Sequence, residues 1–378
     1  MTKPKHVLGI SGGKDSAALA IYLRNKYPQL DIHYYFCDTG KELDETYQLI
    51  ERLEGYLGKP IERLESKEAK DLQKNPFDYF YQAYRGYLPS NVARWCTKKM
   101  KLEPFEAYVG EIPTISYVGI RGDEDREGYI SRKANIQSIF PFRRNIWSEE
   151  VIYKVLGNTE QSQIIGIYEN FLSGKKLDKV IEIIKQPLVF EERNSDQNRR
   201  VAQEKLNLLF DQGLPEFNQV AFHYLKDKGY PISLEEDYPL LHDDEILVRD
   251  DIFRLLEESE VGVPGYYEKL DYEVDGETGQ YARSRSGCYF CFFQQKIEWI
   301  WLYEQHPALY TQAMEYENEK EGFTWNQNES LKDLLHPNRM KQIKMDHLNR
   351  MDKEKAKGSK YLLDKVIDTE KDCLACFG

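Results

Sequence analysis

The chain has 378 residues, 41% of them hydrophobic, and a formal net charge of -12. That length supports one large core or two modest ones, and the acidic balance excludes a protein that coats nucleic acid through sequence-independent phosphate contacts, while leaving room for local basic grooves. No apolar run approaches the ~20 residues of a membrane span, and Met1-Thr2-Lys3-Pro4-Lys5 leads into a strand without an apolar leader, so a soluble cytoplasmic protein without a membrane partner is expected.

The first apolar run, His6-Val7-Leu8-Gly9-Ile10, breaks into Ser11-Gly12-Gly13-Lys14-Asp15-Ser16 and resumes as Ala17-Ala18-Leu19-Ala20-Ile21-Tyr22-Leu23. This reads as strand, loop and helix. Two glycines free the backbone to converge its N–H groups on an anion, and Ser16, with Asp15 beside it, opens a helix whose positive end faces the same point. A phosphate cradle is expected, with an ordinary βα turn as the plain alternative. The spacing is neither that of a Walker A loop nor G-x-G-x-x-G.

A second strand, Leu30 to Phe36, ends in Cys37-Asp38-Thr39-Gly40, followed by a helix over 46–57 and a strand over Pro60–Leu64. Between Phe77 and Val109 the pattern becomes aromatic and helical and carries Arg94-Trp95-Cys96-Thr97-Lys98-Lys99-Met100-Lys101. A further strand, Ile115–Ile120, runs into Arg121-Gly122-Asp123-Glu124-Asp125-Arg126. This βαβα winding predicts a parallel sheet with ligands outside the carboxyl ends of its strands. The charges after Ile120 then either meet a ligand or form an internally paired ion cluster. Residues 146–242 show helical periodicity and no chemical motif. Asp250 to Glu258 forms an amphipathic helix with an acidic start, and Arg283-Ser284-Arg285-Ser286-Gly287-Cys288-Tyr289-Phe290-Cys291 precedes a helix over 295–304.

The six cysteines are Cys37, Cys96, Cys288, Cys291, Cys373 and Cys376. Two C-x-x-C pairs in a chain without a secretion signal point to metal, cluster or redox chemistry before structural disulfides. Cys288 and Cys291 would supply two ligands and Cys96 a third; Cys373, Cys376, Cys37 or a residue of another type would be the fourth. A [4Fe-4S] cluster, a zinc ion and free thiols that relay sulfur all fit the spacing. Cys37 reads first as a small buried hydrophobe. Basic clusters at Lys98-Lys99 with Lys101, Arg143-Arg144, Arg199-Arg200, Arg283 with Arg285, and 341–360 read by default as solvated faces.

Ser11 to Ser16, Cys37 to Gly40 and the Gly119-Ile120-Arg121…Arg126 loop together resemble the phosphoadenosine-phosphosulfate reductase branch of the ATP-pyrophosphatase, or PP-loop, superfamily. Arg94 to Thr97 with Lys101, and Gly287 to Cys291, are similar to sulfur-handling members, nearest in function to the ATP pyrophosphatases of bacterial DNA phosphorothioation systems of the Dnd and Ssp type, a phage-defence DNA modification. The likeness covers roughly residues 5–130 and 248–305.

The resemblance implies a doubly wound, mostly parallel α/β sheet of the adenine nucleotide α-hydrolase type, with ATP across the strand ends. The chain as a whole is expected to divide into a nucleotide domain (1–145), a helical insertion (146–245), a cysteine-containing segment packed back on the nucleotide domain (246–310) and a helical C-terminal region with a tail (311–378), the resemblance itself saying nothing about the insertion or the tail. Ser11, Gly12, Gly13, Asp15 and Ser16 would hold pyrophosphate; Asp38 and Thr39 would lie near the nucleotide or its Mg²⁺; Arg121, Arg126 and Lys14 would neutralise phosphate charge, with Asp15 counted among the catalytic residues. The implied partners are a cysteine desulfurase, other modification-complex proteins, DNA, and further copies of the chain. Three functions compete. The first is adenylylation of an acceptor for sulfur incorporation, on DNA or, as a variant, on transfer RNA. The second is thiol-dependent reduction of phosphoadenosine- or adenosine-phosphosulfate, with Cys376 as nucleophile. The third is a nucleotide sensor without turnover.

Overall fold

The computed structural model describes residues 3–124, 131, 133–188, 196–327 and 329–356. Arg126, Cys373 and Cys376 lie outside them. Five parallel strands, β1 (Lys5–Gly9), β2 (Ile32–Cys37), β3 (Ile61–Leu64), β4 (Thr114–Tyr117) and β5 (Ile136–Ile139), form one sheet in the order β3-β2-β1-β4-β5. From β1 the chain crosses to β2 on one side, and β4 later pairs on the other. The crevice between those crossovers is where a doubly wound sheet opens at its carboxyl edge.

The helix α1 (Lys14–Lys26) follows β1 directly, and its residues from Lys14 to Leu23 are all buried. A helix apolar around most of its circumference needs partners on every side. The sheet covers one side, and the Arg249–Glu258 helix lies along it. The next helix, α2 (Asp44–Leu57), buries Thr46, Leu49, Ile50, Leu53 and Leu57, the spacing of a single helical stripe, and ends on Gly58 at φ +64.

The helices Glu149–Leu156, Gln161–Tyr168, Gly174–Lys185, Asp196–Gln212 and Leu214–Leu225 make up the stretch expected to be a helical insertion. They share one continuous core with the sheet, running from Leu8 through Trp147 and Phe217 to Leu256. Lys205 fastens them: fully buried, it donates from Nζ to the carbonyls of Leu156, Ile184 and Gln186 at 2.6, 2.8 and 2.9 Å. These are carbonyls that end two helices, so one ammonium satisfies acceptors the helices cannot satisfy themselves.

A second core, containing Phe77, Trp95, Phe290, Trp299 and Trp325, unites the aromatic stretch after β3 with the last third of the chain. It includes an antiparallel hairpin, β6 (Leu270–Val274) and β7 (Glu277–Tyr281), and the helices Lys296–Gln305 and Pro337–Ala356. None of the described helices is long and apolar enough to cross a membrane.

Candidate active site at the carboxyl edge of the sheet

The loop after β1 is closed by its own serines. Ser16 Oγ accepts from Ser11 N at 3.1 Å and donates to the Gly13 carbonyl at 3.2 Å, while Gly13 N donates to Ser11 Oγ at 3.3 Å. Gly12 sits at φ +75, and a Cβ there would lie 2.2 Å from Thr46 Cγ2; one at Gly13 would lie 2.7 Å from Ser286 Oγ. Neither position takes a side chain without a neighbour shifting, so the turn keeps its backbone close-packed against Thr46 and Ser286. Gly13 precedes the first residue of α1 and offers no side-chain cap, while the Tyr267 hydroxyl accepts from the Lys14 backbone N–H.

The second cysteine-bearing segment folds over this loop. Tyr266 donates its hydroxyl to the Gly12 carbonyl at 2.7 Å, Ser286 Oγ donates to Ser11 Oγ at 3.4 Å, and the Tyr267 ring lies 5.3 Å from Lys14 Nζ. Arg283, 1% exposed, donates from Nη2 to the Cys288 carbonyl, while its Nε and Nη1 have no hydrogen-bond partner among the described residues. A buried guanidinium with spare donors behind a phosphate-type loop suits an anionic ligand.

Of the two readings of the charged loop after β4, the structure holds the paired one. Arg121 is 2% exposed and is held by Asp15 Oδ1 at 2.8 Å, Asp123 Oδ1 at 2.9 Å and Glu124 Oε1 at 3.0 Å. Lys14 Nζ takes the other oxygen of Asp15 at 2.8 Å. Burial opposes ionisation of Asp15, but the charges of Lys14 and Arg121 outweigh it and hold the carboxyl well below its ordinary range. The internally paired cluster is therefore what forms, with Asp15 as its hub.

At the end of β2, Asp38 Oδ1 accepts from Gly40 N at 2.8 Å and from the Tyr47 hydroxyl at 3.0 Å. Thr39 is fully buried and donates to Glu42 Oε1 at 2.7 Å, and Cys288 Sγ lies 3.1 Å from the same hydroxyl. Burial, with the neighbouring charge of Asp38, pushes Glu42 up to about 7. Glu42 was not read from the sequence, although it lies four residues beyond Asp38 on a loop already marked as functional. Because its native value exceeds the unperturbed 4.5, the native state binds the extra proton. This group's contribution is then fully present below about pH 4.5 and is lost as pH rises through 7. Urea unfolding of Glu42→Gln at pH 5 and pH 8 is expected to show a smaller loss of stability between the two than the native protein; an equal loss would contradict this.

Cys96, Cys288 and Cys291 line one cavity of about 40 Å³ with Thr39, Lys101 and Phe293. Residues Lys98–Leu102 form a π-helical turn just ahead of Pro104, whose ring nitrogen cannot complete a helical bond; such widened turns are frequent at functional sites. Burial raises the Cys96 thiol to about 12 and Cys288 well above its usual value. Cys37 is buried in a separate small cluster and donates to the Lys101 carbonyl. Among the described residues no group of three or more His, Cys, Asp or Glu is arranged to hold a metal ion. Cys373 and Cys376, the expected fourth ligands, lie outside the described residues, so the three thiols gathered here are only part of the expected set. A Mg²⁺ held by nucleotide phosphates and one carboxylate, such as Asp38, needs no such protein cage.

Residues 5–156 match the phosphoadenosine phosphosulfate reductase domain. This part of the chain belongs to the phosphoadenosine phosphosulfate reductase-like branch of the PP-loop superfamily. The PP-loop domain is thus a nucleotide-binding one, with its loop at the crevice between β1 and β4. Similar proteins include an uncharacterised protein of Methanocaldococcus jannaschii, 32% identical over 148 residues that make up 35% of this chain and 28% of that protein. A nin region protein of Escherichia phage lambda is 28% identical over 145 residues, 32% of this chain and 49% of its own length. The chain therefore spans less than half the length of either relative.

Proposed function

We propose that the PP-loop domain is an ATP pyrophosphatase that adenylylates an acceptor oxygen, releasing pyrophosphate, so that sulfur can replace the oxygen as AMP departs. The observation that carries this reading is the juxtaposition of the serine-closed loop with Cys288, which stands beside Thr39 at the end of β2. Attack of the acceptor oxygen on the α-phosphorus breaks the α–β bond, and the new mixed anhydride turns a poor leaving group into AMP. Displacement at phosphorus depends chiefly on fixed positive charge. Loop N–H groups, the α1 terminus, Arg283 and Mg²⁺ would supply it here, and Asp15 would hold Lys14 in place.

The acceptor in this reading is DNA, with sulfur from a cysteine desulfurase and with other modification proteins as partners; transfer RNA is the variant. The gathering of Cys96, Cys288 and Cys291 in one cavity supports a sulfur relay. Reduction of an adenylyl sulfate by a cavity thiol is the second reading, favoured by the family's name and by the same thiol geometry.

The test is an anaerobic preparation given ATP and Mg²⁺ with DNA or transfer RNA and a cysteine desulfurase, beside a Ser11→Ala control. Pyrophosphate release that depends on acceptor and is lost in the control is expected. Thiol-dependent sulfite from an adenylyl sulfate, without pyrophosphate release in any arm, would transfer the assignment to the reductase.

A further inference from the structure

A cavity of about 480 Å³ opens between the start of the Lys296–Gln305 helix, the Trp325 loop and the Pro337–Ala356 helix. It contains no residue of the PP-loop, of Asp38-Thr39 or of the Arg121 cluster. Phe292 and Trp325 line both this cavity and the one lined by the three thiols, so an occupant would sit one side chain away from sulfur.

The walls are chemically specific. Amides of Gln294, Gln295, Asn326 and Gln327 face it together with Arg339 and Arg350. Gln294 is 4% exposed and its Nε2 donates to the Tyr289 carbonyl at 2.8 Å, which fixes the amide and leaves Oε1 with no partner among the described residues. Asn326 Nδ2 likewise has none. Several amide side chains lining a cavity of this size suit the edge of a nucleobase, which amides read by hydrogen bonds.

Arg339 is tied to Glu329, whereas Arg350 is exposed and donates from Nη1 to the neutral amide oxygen of Gln295 at 3.3 Å, with no carboxylate paired to it among the described residues. Phe292, half-buried at the boundary, presents an aromatic face for stacking. The volume lies in the range of small-ligand pockets, and Asp346 is the single lining carboxylate among the described residues.

We propose that this cavity is a nucleotide subsite, distinct from the PP-loop, in which the amides take the base edge and Arg350 the phosphate. It deepens the sulfur-transfer reading by giving an acceptor nucleotide a seat beside the thiols, and rests on that reading for the acceptor's role though not for binding itself. The nucleotide can come from solution or from a single strand.

Fluorescence anisotropy of the full chain with a labelled single-stranded oligonucleotide, competed with mononucleotides, decides it. Arg350→Glu is expected to weaken strand binding about tenfold or more and to lower the salt slope by about one. Gln327→Ala is expected to alter base preference with the slope unchanged. Both variants keep ATP binding at the PP-loop, whereas Ser11→Ala loses ATP and keeps the strand. Displacement by mononucleotides assigns the pocket to free nucleotides, and tight strand binding without displacement assigns it to a strand; either supports the subsite. Unaltered affinity in Arg350→Glu, absence of binding by every probe, or loss of ATP binding in Arg350→Glu would overturn it. Strand binding by a protein that never releases pyrophosphate would instead leave the subsite standing and remove the pyrophosphatase reading.

Discussion

Arg121→Ala is expected to lose roughly 3–5 kcal/mol of folding stability, the cost of breaking a buried ion pair by removing one partner. Its side chain is buried among three carboxylates, of which Asp15 is itself shut away from solvent at the start of α1. Removal leaves Asp15 with Lys14 alone and leaves Glu124 facing it. ATP affinity should fall as well, because Asp15 and Lys14 stand inside the loop proposed to wrap the phosphates. Urea unfolding and nucleotide titration on the same variant separate the roles. A guanidinium that acted only on phosphate would leave the unfolding midpoint unchanged and weaken ATP alone, and that outcome would overturn the ion-cluster account.

Gly12→Ala should be comparably damaging for a different reason. At φ +75 any side chain is strained by about 1–2 kcal/mol, and the new Cβ would meet Thr46 Cγ2 at 2.2 Å, an overlap of the sort that costs ~1–3 kcal/mol in a packed interior. The two contributions can be separated, because Thr46→Ser removes the offending methyl and leaves the hydroxyl. The double variant Gly12→Ala/Thr46→Ser is expected to regain the steric part of the lost stability and some nucleotide affinity, leaving the backbone part. Additive losses in the double-mutant cycle would show that the loop does not press on α2 as described.

These two residues also mark how far the sequence could be read. Gly12 and Gly13 announced their role because a turn's demands are local, and the strands and helices flanking them followed from equally local periodicity. Arg121 announced only a charge. Two of its carboxylates, Asp123 and Glu124, were local and made an internal cluster a readable alternative, but the third, Asp15, lies a hundred residues away and no spacing encodes it. The same limit applies to Cys96, Cys288 and Cys291: the chain fold gathers them in one cavity, but spacing alone could not distinguish thiols that share a wall from a metal cage.

Other misses had signals in plain view. Strand β5 was overlooked because Gln137 and Ser138 interrupt its apolar pattern, yet both are buried, and Gln137 accepts from Ile232 N at 3.0 Å. The β6–β7 hairpin turns on Asp275-Gly276, at φ +53 and +82, an Asp-Gly pair between short strands that is a strong local hairpin cue. Residues 146–242 were read as helical without a role; their continuous core with the sheet gives them at least a structural one.

Methylene analogues test directly whether the PP-loop domain cleaves ATP between its α and β phosphates, because each blocks one bond and spares the other. With Mg²⁺ and acceptor present, β,γ-methylene-ATP should be converted to AMP and methylenediphosphonate, while α,β-methylene-ATP should bind and resist cleavage to AMP. Release of inorganic phosphate from α,β-methylene-ATP, with β,γ-methylene-ATP left intact, would place the cleaved bond elsewhere and contradict the account.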